Sequence, residues 1–132
     1  MITLEDVLNY LKTIILNEKW FTASYDINIP QLICLYNKQA SGQVNAIGGA
    51  DNSSYNKKSF TVLIHWDKSF VLAEKRANDI YQLLRKARGT VINYRIIHVE
   101  LDRNEPIYVG KDKIGNHEFI INAVLWYSKE GN

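Results

Sequence analysis

The run HEFIINAVLWYS, residues 117–128, constrains the fold most. Following the glycine-containing turn GKDKIGN, it reads as a strand of about eleven residues, roughly 35 Å at 3.3 Å per residue. The usual strand has five or six. A second apolar run, SFTVLIHW at 59–66, is hydrophobic on both faces apart from His65 and suits a central strand. Between them VINYRIIHVEL places Ile97, Val99 and Leu101 on one face, DRNEP turns the chain, IYV is a short strand and GKDKIGN turns it again. Earlier, QLICLYN (31–37) alternates as a strand and FTASYDI (21–27) does so more weakly, with Pro30 bending the chain between them or sitting at a sheet edge.

Two stretches break this strand character. Over 4–16, Leu4, Val7, Leu8, Leu11, Ile14 and Ile15 recur at helical spacing. Thr3 is placed to cap that helix and Asp6 to complete a capping box. Over 69–88, Ser69 stands as the cap, and Ala73, Ala77, Ile80, Tyr81, Leu84 and Ala87 form the buried stripe. The basic last turn suits the helix dipole, and Gly89 is a ready stop. Helix, strands, strand, helix, strands in that order predict one α+β domain over residues 1–132, with two main α-helices packed on an antiparallel or mixed β-sheet.

Residues 37–58, rich in Asn, Gly, Ser and Gln, are the one compositional break and predict a long mobile loop at about 38–58. A net charge of +2 is too close to balance to point to nucleic acid or a membrane surface. The single cysteine, Cys34, lies inside an apolar run, which gives neither a disulfide framework nor a cysteine metal site. Glu5 and Asp6 stand where an export signal is basic, and no apolar run reaches the roughly 20 residues a bilayer-spanning helix needs. The expectation is a soluble chain made in a cytoplasm.

The stretch YVGKDKIGNHEF (108–119) carries Gly110 and Gly115 at G-x-x-x-x-G spacing. A phosphate-binding loop needs Lys and Ser or Thr after the second glycine, and a helix following. Here Asn116 and His117 follow, then a strand pattern. Calcium is disfavoured because Asp112 lacks acidic partners at the required spacing. The residues Gly110, Asp112, Gly115 and Asn116 therefore predict a structural hairpin turn, with Asp112 capping it through its side chain. His65, His98 and His117 each stand alone in a strand pattern, with no second ligand at i+2 or i+4, and each reads as a satisfied or surface histidine, zinc being the alternative if two of them meet across neighbouring strands. No nucleophile, base and orienting acid line up, so no catalytic residue, cofactor or metal is assigned, and the expectation is a protein without enzymatic activity.

Residues 54–86, SYNKKSFTVLIHWDKSFVLAEKRANDIYQLLRK, resemble the minor capsid proteins of tailed bacteriophages and prophages of Gram-positive bacteria. The shared marks are Tyr55-x-Lys57-Lys58, the strand end Leu63-Ile64-His65-Trp66, the pair Asp67-Lys68 and the amphipathic helix after it. The closing segment 105–127 resembles the same family through Val109-Gly110-x-Asp112-x-x-Gly115 and a long final strand. The segment VLAEKRA departs from the family in lacking a Thr-Glu pair before the alanines. The resemblance implies a virion structural protein of the head–tail junction with a tail-terminator-like fold. Such a protein forms a ring homo-oligomer, a hexamer, with tail tube protein and head–tail connector proteins as partners and no membrane. It also implies that Tyr55, Lys57, Lys58, Lys75, Arg76 and Arg85 are candidates for the oligomer or tube interface, and that the long last strand offers backbone for sheet extension between subunits. The alternative is a nucleic-acid-binding accessory protein using the basic end of the second helix, Arg85, Lys86 and Arg88, on a helix that Lys75 and Arg76 also bias to basic; the intervening Glu74 and Asp79 and the near-neutral total disfavour direct nucleic-acid binding.

Overall fold

A computed structural model of the chain describes residues 2–16, 18–38, 56–91 and 93–129. Helix α1 (Leu4–Ile14) begins at Thr3, whose side chain accepts from the Asp6 backbone N–H while the Asp6 carboxylate accepts from the Thr3 N–H. That reciprocal pair satisfies two of the donors a helix start leaves free. Strands β1 (Trp20–Thr22) and β2 (Gln31–Asn37) follow, then β3 (Asn56–Trp66), helix α2 (Phe70–Arg85) and β4 (Gly89–Val91), and finally β5 (Tyr94–Leu101), β6 (Ile107–Lys111) and β7 (His117–Lys129).

The seven strands form one mixed sheet in the order β1-β2-β3-β7-β5-β4, with β6 also paired to β7. Among the described residues β1 and β2 pair in parallel and the other strand pairs are antiparallel. The eight residues 23–30 that join the parallel pair are short for such a crossover. They arch over one face of the sheet, where Tyr25 and Ile29 pack against Leu32, Cys34 and Leu63. Both helices cover the other face. There Val7 and Leu11 of α1 and the predicted α2 stripe meet Ile33, Leu35, Phe60, Val62, Ile64, Phe119, Ile121, Ala123 and Leu125. Leu84, Ile80, Ile64 and Leu35 are fully buried, each contributing about 1.5–3 kcal/mol of hydrophobic stabilisation.

Several sequence expectations shift. The weak strand FTASYDI ends at Thr22 because Ala23 takes a left-handed φ of 65° and diverts the chain into the arch. The stretch VINYRIIHVEL is not one strand: Val91 pairs with Tyr94, making β4 and β5 a hairpin. A register shift between Ile96 and His98 then breaks the predicted alternation, so Ile96 is buried on the helix face together with Val99. Strand β3 starts at Asn56, so Lys57 and Lys58 belong to a strand and not to the expected loop, whose residues 39–55 lie outside those described.

The last strand is longer than predicted, at 13 residues, and it sits at the centre of the sheet. β3 pairs with it from His117 to Tyr127 on one side; β6 and β5 share the other side, over 117–120 and 123–129. Its backbone is therefore spent inside the chain, and the expectation that it extends a neighbour's sheet does not hold. Among the described residues the strands paired on one side only are β1, β4 and β6. Between β5 and β6, residues 102–106 bulge outward opposite only Ile121 and Asn122. Tyr81 of α2 donates to the Arg103 carbonyl at 2.8 Å and pins that bulge to the helix.

Candidate functional site

The β6–β7 turn is built around one carboxylate. Asp112 Oδ1 accepts the backbone N–H groups of Ile114, Gly115 and Asn116 at 2.8, 2.7 and 2.9 Å. Gly115 sits at φ +105° and Gly110, in the β6 register shift, at φ +108°, both in a region that side chains disfavour. Burial pushes the Asp112 carboxyl up, but the three N–H donors and the Asn116 amide outweigh it and hold the group below its ordinary value. Three converging N–H groups are an anion-binding nest. Here the chain supplies its own anion, the Asp112 carboxylate, to those donors.

The same carboxylate reaches His65, which is fully buried near the end of β3. Asp112 Oδ2 lies 3.3 Å from His65 Nε2, and Glu118 Oε2 lies 2.9 Å from Nδ1. The His65–Glu118 contact follows directly from strand register, since the two residues are paired neighbours on β3 and β7. Tyr25, from the arch, donates its hydroxyl to the same Glu118 oxygen and tilts its ring against the imidazole at 5.1 Å. Burial, then the hydrogen bond to Glu118 and its charge, push the Tyr25 hydroxyl well above its ordinary value. Asn116, also buried, donates through Nδ2 to Asp112 Oδ2 at 3.3 Å and sits 3.4 Å from His65 Nε2, while its Oδ1 has no partner among the described residues. Turning that amide over would set its oxygen against the Asp112 carboxylate, so Asp112 fixes its orientation.

The histidine read from sequence as solitary thus links four segments: β3, the arch, the turn and β7. Its two ring nitrogens face different carboxylates, so the three groups do not converge on one point. Among the described residues no group of His, Cys, Asp and Glu is arranged to hold a metal ion. The imidazole is fully buried among these partners, and the arrangement ties the four segments together.

The other residues singled out from sequence lie apart. Lys57 projects over the Trp126 ring at 5.0 Å, and Lys58 donates to Asn37 Oδ1 at 2.6 Å. Arg76 is tied within the chain: it pairs with Glu18 and lies over Trp66 at 5.7 Å. Trp66 and Lys57 are at opposite ends of β3, about 30 Å apart at 3.3 Å per residue. Lys75 and Arg85 are exposed on α2, and Tyr55 is outside the described residues. His98 is exposed, and His117 shares a 2.9 Å hydrogen bond with the Tyr108 hydroxyl.

Sequence reasoning missed an aromatic surface where α2 begins. Phe70, 39% exposed, meets the Tyr108, His117 and Phe119 rings at 5.3, 5.4 and 5.8 Å, and Tyr108 is 43% exposed. The available signal was SFVL at 69–72, three large apolar residues outside the buried helical stripe.

No helix among the described residues is long and apolar enough to cross a membrane. Neither a protein-family model nor a curated protein matches the chain.

Proposed function

We propose that the chain is a non-enzymatic structural subunit of a phage or prophage head–tail junction, a ring-forming tail-terminator-like protein that caps the tail tube and joins it to the head. The observation that carries this reading is the contact between the two segments on which the family resemblance rests. His65 of the L-I-H-W mark and Asp112 of the V-G-x-D-x-x-G mark are 47 positions apart in the chain and 3.3 Å apart in space. Two marks that meet as one buried unit support a shared structural role better than two unrelated coincidences would. The third mark, Asp67, stands at φ 49° between β3 and α2 and accepts the His117 N–H at 3.0 Å, so it belongs to the same unit. The closed geometry around His65 supports a mechanical part over a catalytic one, because the acid and base groups there are consumed by each other.

Mixing the purified protein with isolated tail tubes tests the proposal. Binding at tube ends, seen as end-on rings by electron microscopy and as co-sedimentation, is the expected result. A protein that stays monomeric across a concentration series and ignores tube ends would overturn it.

A further inference from the structure

Phe70, Glu74 and Asn78 recur every four residues along α2 and form one wall of a small cavity. Glu105, Pro106 and Tyr108, from the β5–β6 bulge and β6, form the opposite wall, over Phe119. The cavity holds about 140 Å³, well below the roughly 300–1,000 Å³ of pockets for nucleotides and other ligands of that size. Its base is aromatic and apolar. Its two charged members, Glu74 and Glu105, are exposed carboxylates, and neither is in an ion pair among the described residues. Aromatic faces beneath unpaired carboxylates suit the end of one basic side chain, best an arginine, whose planar guanidinium stacks on rings and bridges carboxylates.

The same helix ends in a matching group. Arg85 in its last turn and Lys86 and Arg88 just beyond it are all exposed. Phe70 and Arg85 are separated by fifteen residues, about 22 Å of helix at 1.5 Å per residue. Within one molecule the acidic cavity and the basic end share a helix face but are separated along its axis, Glu74 and Arg85 by about 16 Å at 1.5 Å per residue, and no ion pair joins them among the described residues. Between molecules they are complementary, and a contact between two different patches is the kind that propagates head to tail, closing into a ring when the rotation per subunit divides a full turn. Complementary charge selects register and partner in such contacts.

We propose that the Phe70–Tyr108 cavity receives a basic side chain from the Arg85–Arg88 end of α2 of a second copy. This rests on the ring reading above and names the two surfaces of its subunit contact.

Two variants test the assignment in sedimentation experiments at low and high salt: E74K/E105K, which reverses the cavity, and R85E/R88E, which reverses the basic end. All four residues are exposed, so thermal melting close to that of the wild type is expected for both and serves as the check on folding. The wild type should self-associate, less so at high salt, and each variant alone should associate on the order of tenfold or more weakly. Mixing the two should restore association, because each still carries the intact surface that the other lacks. Variants that associate as the wild type does, or a mixture that stays monomeric, would overturn the contact while leaving the ring reading standing. A wild type that neither associates nor binds tube ends overturns the ring reading, and this contact falls with it.

Discussion

Replacing Asp112 with alanine removes the group that holds the β6–β7 turn together. The wild-type carboxylate accepts three backbone N–H groups within 2.9 Å and faces Asn116 Nδ2 and His65 Nε2, both at 3.3 Å. Hydrogen bonds to a charged acceptor contribute about 1.5–3 kcal/mol each, but they share one carboxylate and do not add. Lys113 and Ile114 are exposed, so water can take over part of the freed N–H capacity. His65 and Asn116 are buried and cannot be compensated in that way. The net loss expected is about 3 kcal/mol, against a total of roughly 7–20 kcal/mol for a chain of this size. In urea, with a slope near 2 kcal/mol per molar, the midpoint should fall by about 1.5 M at unchanged slope. Asp112→Asn keeps a side-chain oxygen for the turn and should lose about half as much. A loss below about 1 kcal/mol for the alanine variant would refute the view that this carboxylate organises the turn and the clamp. The pH dependence gives a second readout. The folded carboxyl lies below its ordinary 3.8, so its contribution is complete above that pH and is lost as pH falls through the folded value. The gap between wild type and Asp112→Asn should therefore be widest at neutral pH and shrink in acid below about pH 4.

Leu84→Ala should cost about 2–5 kcal/mol in thermal or chemical denaturation, since it empties a fully buried site on α2. The adjacent Leu83→Ala, at a position 37% exposed, should cost clearly less than its neighbour, and similar losses would contradict the assigned helix face. Gly115→Ala should lose about 1–3 kcal/mol from backbone strain alone, because a Cβ there meets nothing within 4 Å; an unchanged melting temperature would argue against the φ of +105°. Thr3→Ala should cost about 1 kcal/mol by removing the side-chain half of the α1 capping box, measured as a lower melting temperature.

Local periodicity carried much of the fold. The buried stripe of α2, from Ala73 to Leu84, follows from side chains recurring every three or four residues, a pattern written in consecutive positions, and Ala87 just beyond the helix end continues it into the core. The capping box at Thr3 and Asp6 and the glycine turn at 110–115 are equally local, because each is closed by bonds between residues a few positions apart. Pairing is another matter. Nothing adjacent to His65 says that Glu118 will lie opposite it, that Asp112 will fold back on it, or that Tyr25 will arch across; these follow from which strands become neighbours and in what register. The long final strand shows the same division. Its length and apolar character are sequence properties, yet its place at the centre, with both sides paired, came from competition among seven strands for hydrogen-bonding partners. The sequence by itself determined the two helices with their buried faces and the long strands at 59–66 and 117–128, through interactions spanning a few residues. The clamp around His65 and the cavity at Phe70 and Tyr108 were decided only by the tertiary structure, because the groups that form them approach one another only when the sheet closes its register.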